Sequence, residues 1–583
     1  MNVRRSRRAS ASTSKSDAPD PRARVEKLIG EIADTYHRAA ESKLELFARW
    51  MIRNGTESAQ RRKRRQKLKA YSSMAVAFVV RGLNRMVSRI VRIDPVARAL
   101  GRHREFLLTT TPTLHAIAAT EYILRSFNKH QSELQKGDSI VKDARKFFVP
   151  IPRHKPPQYA IRPHRERVMY LLHNCRPFHN GGYAVRAHGI IKGLRSWGYD
   201  VIPVARPGYP HDNLPTVENF AETMNVDGID YRFFPPGVAD RRSMSKRAYA
   251  DAYSKALKKL VEEIEPSILH AASFSMNGRA ALRIREALGI PVIYEVRGLS
   301  MLTDLGSKGH LLPTSDRFWE AWDEIEVAKS ADRLLCITEP LASLFVALGV
   351  SSNDVELLQN AAEDDALKLT SATPEEEGST RWLGYLGSLQ YYEGLEDLCA
   401  AIELIADEHP DLDVRALIVG DGPYADKVSG RVEQSPHRER FRLLGRVPHE
   451  QIGSLYDQCT AMVYPRSPYP VCELISPLKP FEPMARGIPV IASDVGALSA
   501  IVKDGETGFS FEAGNVQDLA DTIVKVLNEP ETREQVMRKA KAFVRTERNW
   551  RQTTRRTAEL YRELHEAQEA SSEPSPGSIP QSG

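Results

Sequence analysis

Residues 472–498, CELISPLKPFEPMARGIPVIASDVGAL, decide how the rest of the chain is read. Pro477 suits the first turn of a helix, Gly487 suits its end, and Val490–Ala492 reads as the buried strand that follows. Lys479 and Glu482 stand three residues apart, so on such a helix they share a face. A carboxylate in that place can accept both vicinal hydroxyls of a ribose, and the lysine can meet a diphosphate as a point charge. An exposed i,i+3 ion pair is the plainer alternative. The Pro and Gly boundaries and the apolar strands on either side weigh against it.

The same texture of short apolar runs and amphipathic stretches extends outward. Leu383–Leu386, Val414–Val419, Phe441–Leu444, Ala461–Tyr464 and Val490–Ala492 read as buried strands. Upstream, beyond a polar, acidic gap at 363–380, lie Val168–His173, Asp200–Ala205, Ile268–Ala271, Val292–Val296, Arg333–Ile337 and Val355–Leu358. Helical patterns at 183–197, 246–264 and 277–288 separate the upstream strands. Strands alternating with helices imply parallel sheets, and the economical arrangement is α/β with two doubly wound, Rossmann-like domains, at 166–365 and 380–545. A helix at 546–568 crosses back to the first domain in this reading, and 569–583 is a disordered tail.

In doubly wound sheets, ligands gather at the C-terminal ends of strands. Four segments fall there. Asn180-Gly181-Gly182-Tyr183 follows the first strand and opens a helix, a geometry that lets backbone N–H groups approach a phosphate; a tight turn without a ligand is an equal reading of those residues alone. GYLGSLQYYEGLEDL (384–398) ends a strand in Gly387-Ser388, and IVGDGP (418–423) repeats that logic with Gly420 and Gly422. The fourth is the opening stretch itself.

The N-terminal region differs. Residues 1–100 carry 24 Lys and Arg against 9 Asp and Glu, a balance of +15, while the remaining 58 against 66 leave −8 of the total of +7. Residues 1–21 read as a disordered basic tail, 22–149 as a helical extension and 150–165 as a Pro-rich linker. Within the extension, seven basic residues in 61–69 precede an apolar stripe (Val76, Val79, Val80, Leu83, Val87, Ile90, Val91) flanked by Arg81, Arg85, Arg89 and Arg92. That combination suits an anionic membrane surface contacted through 61–93. The stripe packing on the body or on a partner is the main rival. Nucleic acid is disfavoured because no aromatic residues interleave the basic run. Cysteines 175, 336, 399, 459 and 472 are scattered, without metal-ligand or disulfide spacing. A cytoplasmic protein, peripheral at most on the inner face of the cell membrane, fits these features, since neither a secretory signal nor an apolar run of about 18 residues is present.

From about 168 to 566 the chain resembles the large retaining glycosyltransferase family of the GT-B, family-4 type (glycosyl transferases group 1). The matching pieces are GGYAVRAHGIIKGLRSWGYDV, PVIYEVRG, LLQNA at Asn360, GSLQYYEGLEDL, IVGDGP, LLGRVPHEQIGSLYDQC, SPLKPFEPMARGIPVIASDVGALSAIVKDGETGFSF and the late Trp550. Variants with YEVR, YEGL and SPLKPFE resemble members that assemble bacterial exopolysaccharides on lipid carriers. The resemblance implies a nucleotide-sugar donor, a saccharide or lipid-linked acceptor, and retention by front-face attack; with no DxD-like pair in a plausible loop and no His/Cys ligand spacing, no metal or other cofactor is expected. It makes Glu482 the ribose ligand, Gly445-Arg446-Val447 the base-contacting segment, and Gly182, beside Gly181, the diphosphate neighbour. Ser388, Gly420, Gly422 and Arg466 complete the expected donor site.

Departures shift the remaining roles. Many members carry Arg and Lys where this chain has Ser388 and Glu393, so Lys479, aided by Arg466, is the expected replacement cation. The family's paired glutamates are usually eight apart; here Glu473 and Glu482 are nine apart and Leu474 holds the expected place, leaving a sugar contact for Glu473 open. Glu295 and Arg297 occupy the place where many relatives carry a histidine, and become acceptor-side or phosphate-side candidates. A sugar-nucleotide epimerase or an inactive scaffold on the same fold is the alternative.

Overall fold

The computed structural model describes residues 164–572 except 215, 218, 219, 301, 303–314 and 369–379. The basic tail, the helical extension with its 61–93 segment, and the C-terminal tail from 573 lie outside the described residues, as does the linker up to 163. Among the described residues, no helix is long and apolar enough to cross a membrane.

Among the described residues, fourteen strands form two sheets. The first contains β1 (His164–Leu172), β2 (Asp200–Ala205), β3 (Thr223–Val226), β4 (Ile229–Arg232), β5 (Pro266–Ala272), β6 (Val292–Val296), β7 (Arg333–Cys336) and β8 (Val355–Leu357). Their order is β3-β4-β2-β1-β5-β6-β7-β8. The second contains β9 (Arg381–Leu386), β10 (Val414–Val419), β11 (Phe441–Gly445), β12 (Ala461–Tyr464), β13 (Val490–Ser493) and β14 (Phe509–Phe511), ordered β11-β10-β9-β12-β13-β14. All ladders are parallel except β3–β4. Strands β5 and β6 are buried along their whole length, as parallel strands covered on both faces must be, and their sequences PSILHAA and VIYEV are correspondingly poor in polar residues.

The second sheet has the order 3-2-1-4-5-6 of a doubly wound nucleotide-binding domain, and the first repeats it with an added edge. In each sheet the strand order reverses beside the first strand of its domain, between β1 and β5 and between β9 and β12. The crevice outside these strand ends is where such sheets bind ligands. It receives the Gly181-Gly182 turn from β1, Gly387 from β9 and Arg466 from beyond β12.

Three features depart from the sequence reading. Strand β1 begins at His164, two residues inside the stretch assigned to the linker, and the last helix runs to Ser572, four residues into the stretch assigned to the disordered tail. The β3–β4 ribbon and β14 were not anticipated; the ribbon turns on Asp227-Gly228, both with positive φ (53° and 75°), the geometry of a two-residue hairpin. Third, Pro477 opens no helix. Two short helices, α2 (Pro470–Leu474) and α3 (Phe481–Arg486), flank an irregular 475–480 segment; α1 (Gly182–Arg195) follows the glycine turn of the first domain. The reason lies in Pro483, whose ring would clash with the carbonyl of residue 479 in a helix running through both. A start at Phe481 puts Pro483 in the first turn, where no N–H is needed. The hydroxyl of Tyr464 instead donates to the Lys479 carbonyl at 3.0 Å.

The chain returns to the first domain through α5 (Trp550–Thr553) and α6 (Arg555–Ser572), after α4 (Gly496–Ser499) and the rest of the second domain. Trp550 is 1% exposed and lies against Gly189 of α1, where an added methyl would come within 2.1 Å of its ring. Tyr199 donates to the Ala558 carbonyl (3.0 Å), and the Tyr561 hydroxyl lies 2.7 Å from His270 Nδ1 in β5.

Candidate active site between the two domains

The first domain contributes the N-terminus of α1. Gly181 holds extended backbone there, no side chain caps the helix, and no acidic residue sits in its first turn. The first N–H groups and the positive end of the helix dipole thus offer the kind of site that can receive an anion. A methyl added at Gly181 would meet nothing within 4 Å, and one at Gly182 would lie 3.7 Å from Leu478 Cδ1. The backbone itself does not demand glycine at Gly181, since its φ is −76°, so the gain is clearance for whatever approaches the turn.

Behind that turn lies a buried charge cluster. Glu295 Oε1 accepts from Arg186 Nε (2.8 Å) and Arg297 Nε (3.0 Å), and Oε2 accepts from Arg297 Nη2 (2.9 Å) and from the Tyr170 hydroxyl. Arg297 Nη1 donates to the Tyr183 carbonyl at 3.1 Å, holding the glycine turn from beneath. Burial alone would raise the Glu295 pKa, but Arg297 and Arg186 outweigh it and hold the carboxylate well below the usual range. Glu295 is 0% and Arg297 3% exposed. The structure places this pair, a candidate for the acceptor or the phosphate side, buried beneath the glycine turn.

The second domain contributes a matching cluster. Glu393, 1% exposed, accepts from Lys479 Nζ at 2.7 Å and is gripped by Arg466 through Nη2 (3.0 Å) and Nε (3.3 Å). Burial again works to raise its pKa, and Arg466 and Lys479 bring the carboxyl down to about 2. Lys479 Nζ also donates to the Tyr385 hydroxyl (2.8 Å), which donates onward to the Ser388 carbonyl (2.8 Å). Burial pulls the Lys479 pKa down, partly offset by Glu393. The lysine reaches this place because Gly387 is a glycine: φ is +150°, and a methyl there would lie 2.3 Å from Lys479 Cε.

Gly387, Gly420 and Gly445 line one rim. Gly387 N donates to the Val419 carbonyl (2.9 Å) and Gly420 N to the Gly445 carbonyl (2.8 Å), so Arg446 and Val447 emerge beside them. Gly422 follows one turn on, where a methyl would come within 2.4 Å of the Leu389 carbonyl. Ser388 and Arg446 are exposed at this rim. Glu482, in the first turn of α3, accepts from Arg486 at 3.1 and 3.2 Å. Because Lys479 precedes α3, it shares no helical face with Glu482; the two come from a loop and a helix start. Glu473 is 6% exposed and accepts from the Gly496 N–H (2.7 Å), which holds α4 in its own domain.

The cleft faces are joined directly. Thr338 Oγ1 donates to the Leu474 carbonyl (2.5 Å), and Asn360 Nδ2 donates to the carbonyl and hydroxyl oxygens of Ser476 (2.9 and 3.1 Å). Sequence reasoning missed Arg186, Tyr385 and the pairing of Glu393 with two cations. The one signal available was the acidic Glu393 where relatives carry a base.

Two family models cover both halves of this cleft: "Glycosyl transferases group 1" matches residues 371–543, and "Glycosyl transferase 4-like domain" matches 181–361. The chain belongs to the GT-B glycosyltransferases of the family-4 type. The transferase is 22% identical over 405 residues to a glycogen synthase of Mycobacterium tuberculosis, covering 68% of this chain and 94% of that one. It is 22% identical over 392 residues to a sulfoquinovosyl transferase of Arabidopsis thaliana, covering 64% and 69%. Among solved structures, the sucrose-phosphate synthase of Thermosynechococcus elongatus superposes with a TM-score of 0.55 at 19% identity, covering 69% of this transferase and all of that chain, which bears on the fold alone.

Proposed function

We propose that the transferase moves a sugar, with retention of anomeric configuration, from a nucleoside-diphosphate donor to a hydroxyl of a saccharide or lipid-linked acceptor in surface polysaccharide or glycolipid synthesis. The observation that carries this reading is the charge balance at the cleft: each domain presents one buried carboxylate against two cations, Glu393 with Lys479 and Arg466, and Glu295 with Arg186 and Arg297. The uncapped N-terminus of α1 adds to the excess. A departing diphosphate is the species such a site stabilises.

In this mechanism the α1 turn and Lys479 flank the diphosphate, Glu482 takes the ribose hydroxyls, and Arg446-Val447 lie along the base. The acceptor hydroxyl attacks the face from which the phosphate leaves, and the leaving phosphate oxygen takes its proton. The protein's part is positioning and fixed charge. Lys479 supplies positive charge where a divalent cation would otherwise be useful, which supports turnover without metal. The test is a panel of UDP-, GDP- and ADP-sugars read by thermal shift, followed by NMR of the product and activity in EDTA. An inverted anomer or loss of activity in EDTA overturns the corresponding part.

The basic 61–93 segment supports a peripheral membrane location, where a lipid-linked acceptor would reside. Full-length protein is expected to sediment with anionic liposomes, less so at high salt; indifference to them refutes this part.

A further inference from the structure

Arg186 stands at the centre of an unbroken hydrogen-bonded line between the domains. Its Nε meets Glu295 Oε1 (2.8 Å), its Nη1 meets Asn360 Oδ1 (2.8 Å), and its Nη2 donates to the Leu358 carbonyl. From Glu295 the line continues through Arg297 to the Tyr183 carbonyl in the glycine turn. From Asn360 it continues to Ser476, three residues before Lys479. Arg186, Glu295, Arg297, Asn360 and Ser476 are all at most 8% exposed.

The chemistry of these groups leaves one arrangement. A guanidinium has donors and no acceptor, so it must face Asn360 Oδ1, which turns the amide nitrogen toward the Ser476 carbonyl. Its donors form a rigid planar fork, so Arg186 cannot follow Asn360 without loosening its hold on Glu295. An apolar cluster of the same volume would fill the space without fixing any direction. We infer that Arg186 is a positioning residue, which sets the Gly181-Gly182 turn of one domain in register with the Lys479 segment of the other through Glu295 and Asn360. This rests on the reading of the cleft as the transfer site, but its physical content, coupling between two segments, can be measured without a substrate.

The experiment is hydrogen exchange of the full-length protein, read at 181–186 and 474–480, for Asn360→Ala and for the milder Ser476→Ala, which keeps the carbonyl. Exchange is expected to rise roughly 2- to 30-fold at both segments in Asn360→Ala, the range that such networks transmit, and less in Ser476→Ala. Adding Arg297→Lys to Asn360→Ala should change exchange at 181–186 little further, because the line is already broken. A rise confined to 474–480 in both single variants, or full additivity in the double variant, overturns the inference. If the Asn360 variant fails to fold, Ser476→Ala decides by the same comparison. In the donor panel, a relay mutant should lower kcat with the thermal shift by nucleotide retained; a panel in which even the wild type is silent counts against the transfer reading and leaves the exchange result standing.

Discussion

Replacing Lys479 by methionine removes the ammonium while keeping most of the side-chain length that fills the space over Gly387. Glu393 is not stranded, because its two contacts to Arg466 at 3.0 and 3.3 Å remain. The lost contacts to Glu393 and the Tyr385 hydroxyl cost on the order of 1–3 kcal/mol of stability. The cluster, however, falls from two cations against one carboxylate to one against one. Loss of a preorganised charge at a departing phosphate costs about 2–4 kcal/mol, or roughly 30- to 1000-fold in kcat/KM. Removing the carboxylate as well, in Lys479→Met with Glu393→Gln, restores one net positive charge but on Arg466. That double variant is expected to recover about tenfold of the loss, since charge returns without the right placement. The assay is nucleotide release from whichever UDP-, GDP- or ADP-sugar supports turnover, with thermal denaturation to confirm folding. A folded Lys479→Met enzyme within threefold of wild type refutes the role of the lysine; a double variant no better than the single one refutes the argument from net charge.

Three further outcomes are expected. Glu482→Gln should weaken nucleotide binding by roughly 10- to 100-fold, the worth of a charge-assisted hydrogen bond, in a titration monitored by calorimetry; unchanged affinity removes Glu482 from the ribose site. Gly387→Ala should push Lys479 out of place, because the methyl would lie 2.3 Å from its Cε, and so lose activity as Lys479→Met does; near-normal turnover shows that the lysine's placement is unimportant. His270, buried against Tyr561, has its pKa pulled down to about 4, chiefly by burial. The unfolded state therefore binds more protons between about pH 6.5 and 4, so its contribution is complete above 6.5 and lost as pH falls through that window. Urea unfolding of His270→Gln should show a shallower decline over the same window, and an identical slope would contradict the assignment.

The alternation of apolar runs made the two doubly wound sheets legible, since buried parallel strands leave no polar alternation to confuse them. The β3–β4 ribbon escaped because its strands are four residues each, although Asp227-Gly228 between β-prone residues is itself a hairpin signal. The helix expected from Pro477 failed on a nearer proline, Pro483, whose demand on the carbonyl of residue 479 outweighs the favourable start. The glycine turns and Lys479 were readable as candidate positions. Their partners were not: Glu393, at the end of a 3-10 turn, meets Arg466 and Lys479 from two separate loops, and Arg186 meets Glu295 across 109 residues of chain. Sequence spacing carries no information about such meetings, which the fold alone creates.

Trp550 against Gly189, and Tyr561 against His270, make the first domain dependent on residues that follow the whole of the second. Ribosomes extend a chain at roughly 5–20 residues per second, so about 10–40 s separate the synthesis of β8 from that of α6. Until that interval closes, the glycine face of α1 and the buried histidine of β5 lack their cover, and by its end the second domain has all of its strands. This spacing predicts that the usual order of maturation, upstream before downstream, is reversed in this chain. The second domain is expected to become protease-resistant on the ribosome first, and the first domain to lock only when α5 and α6 close over it.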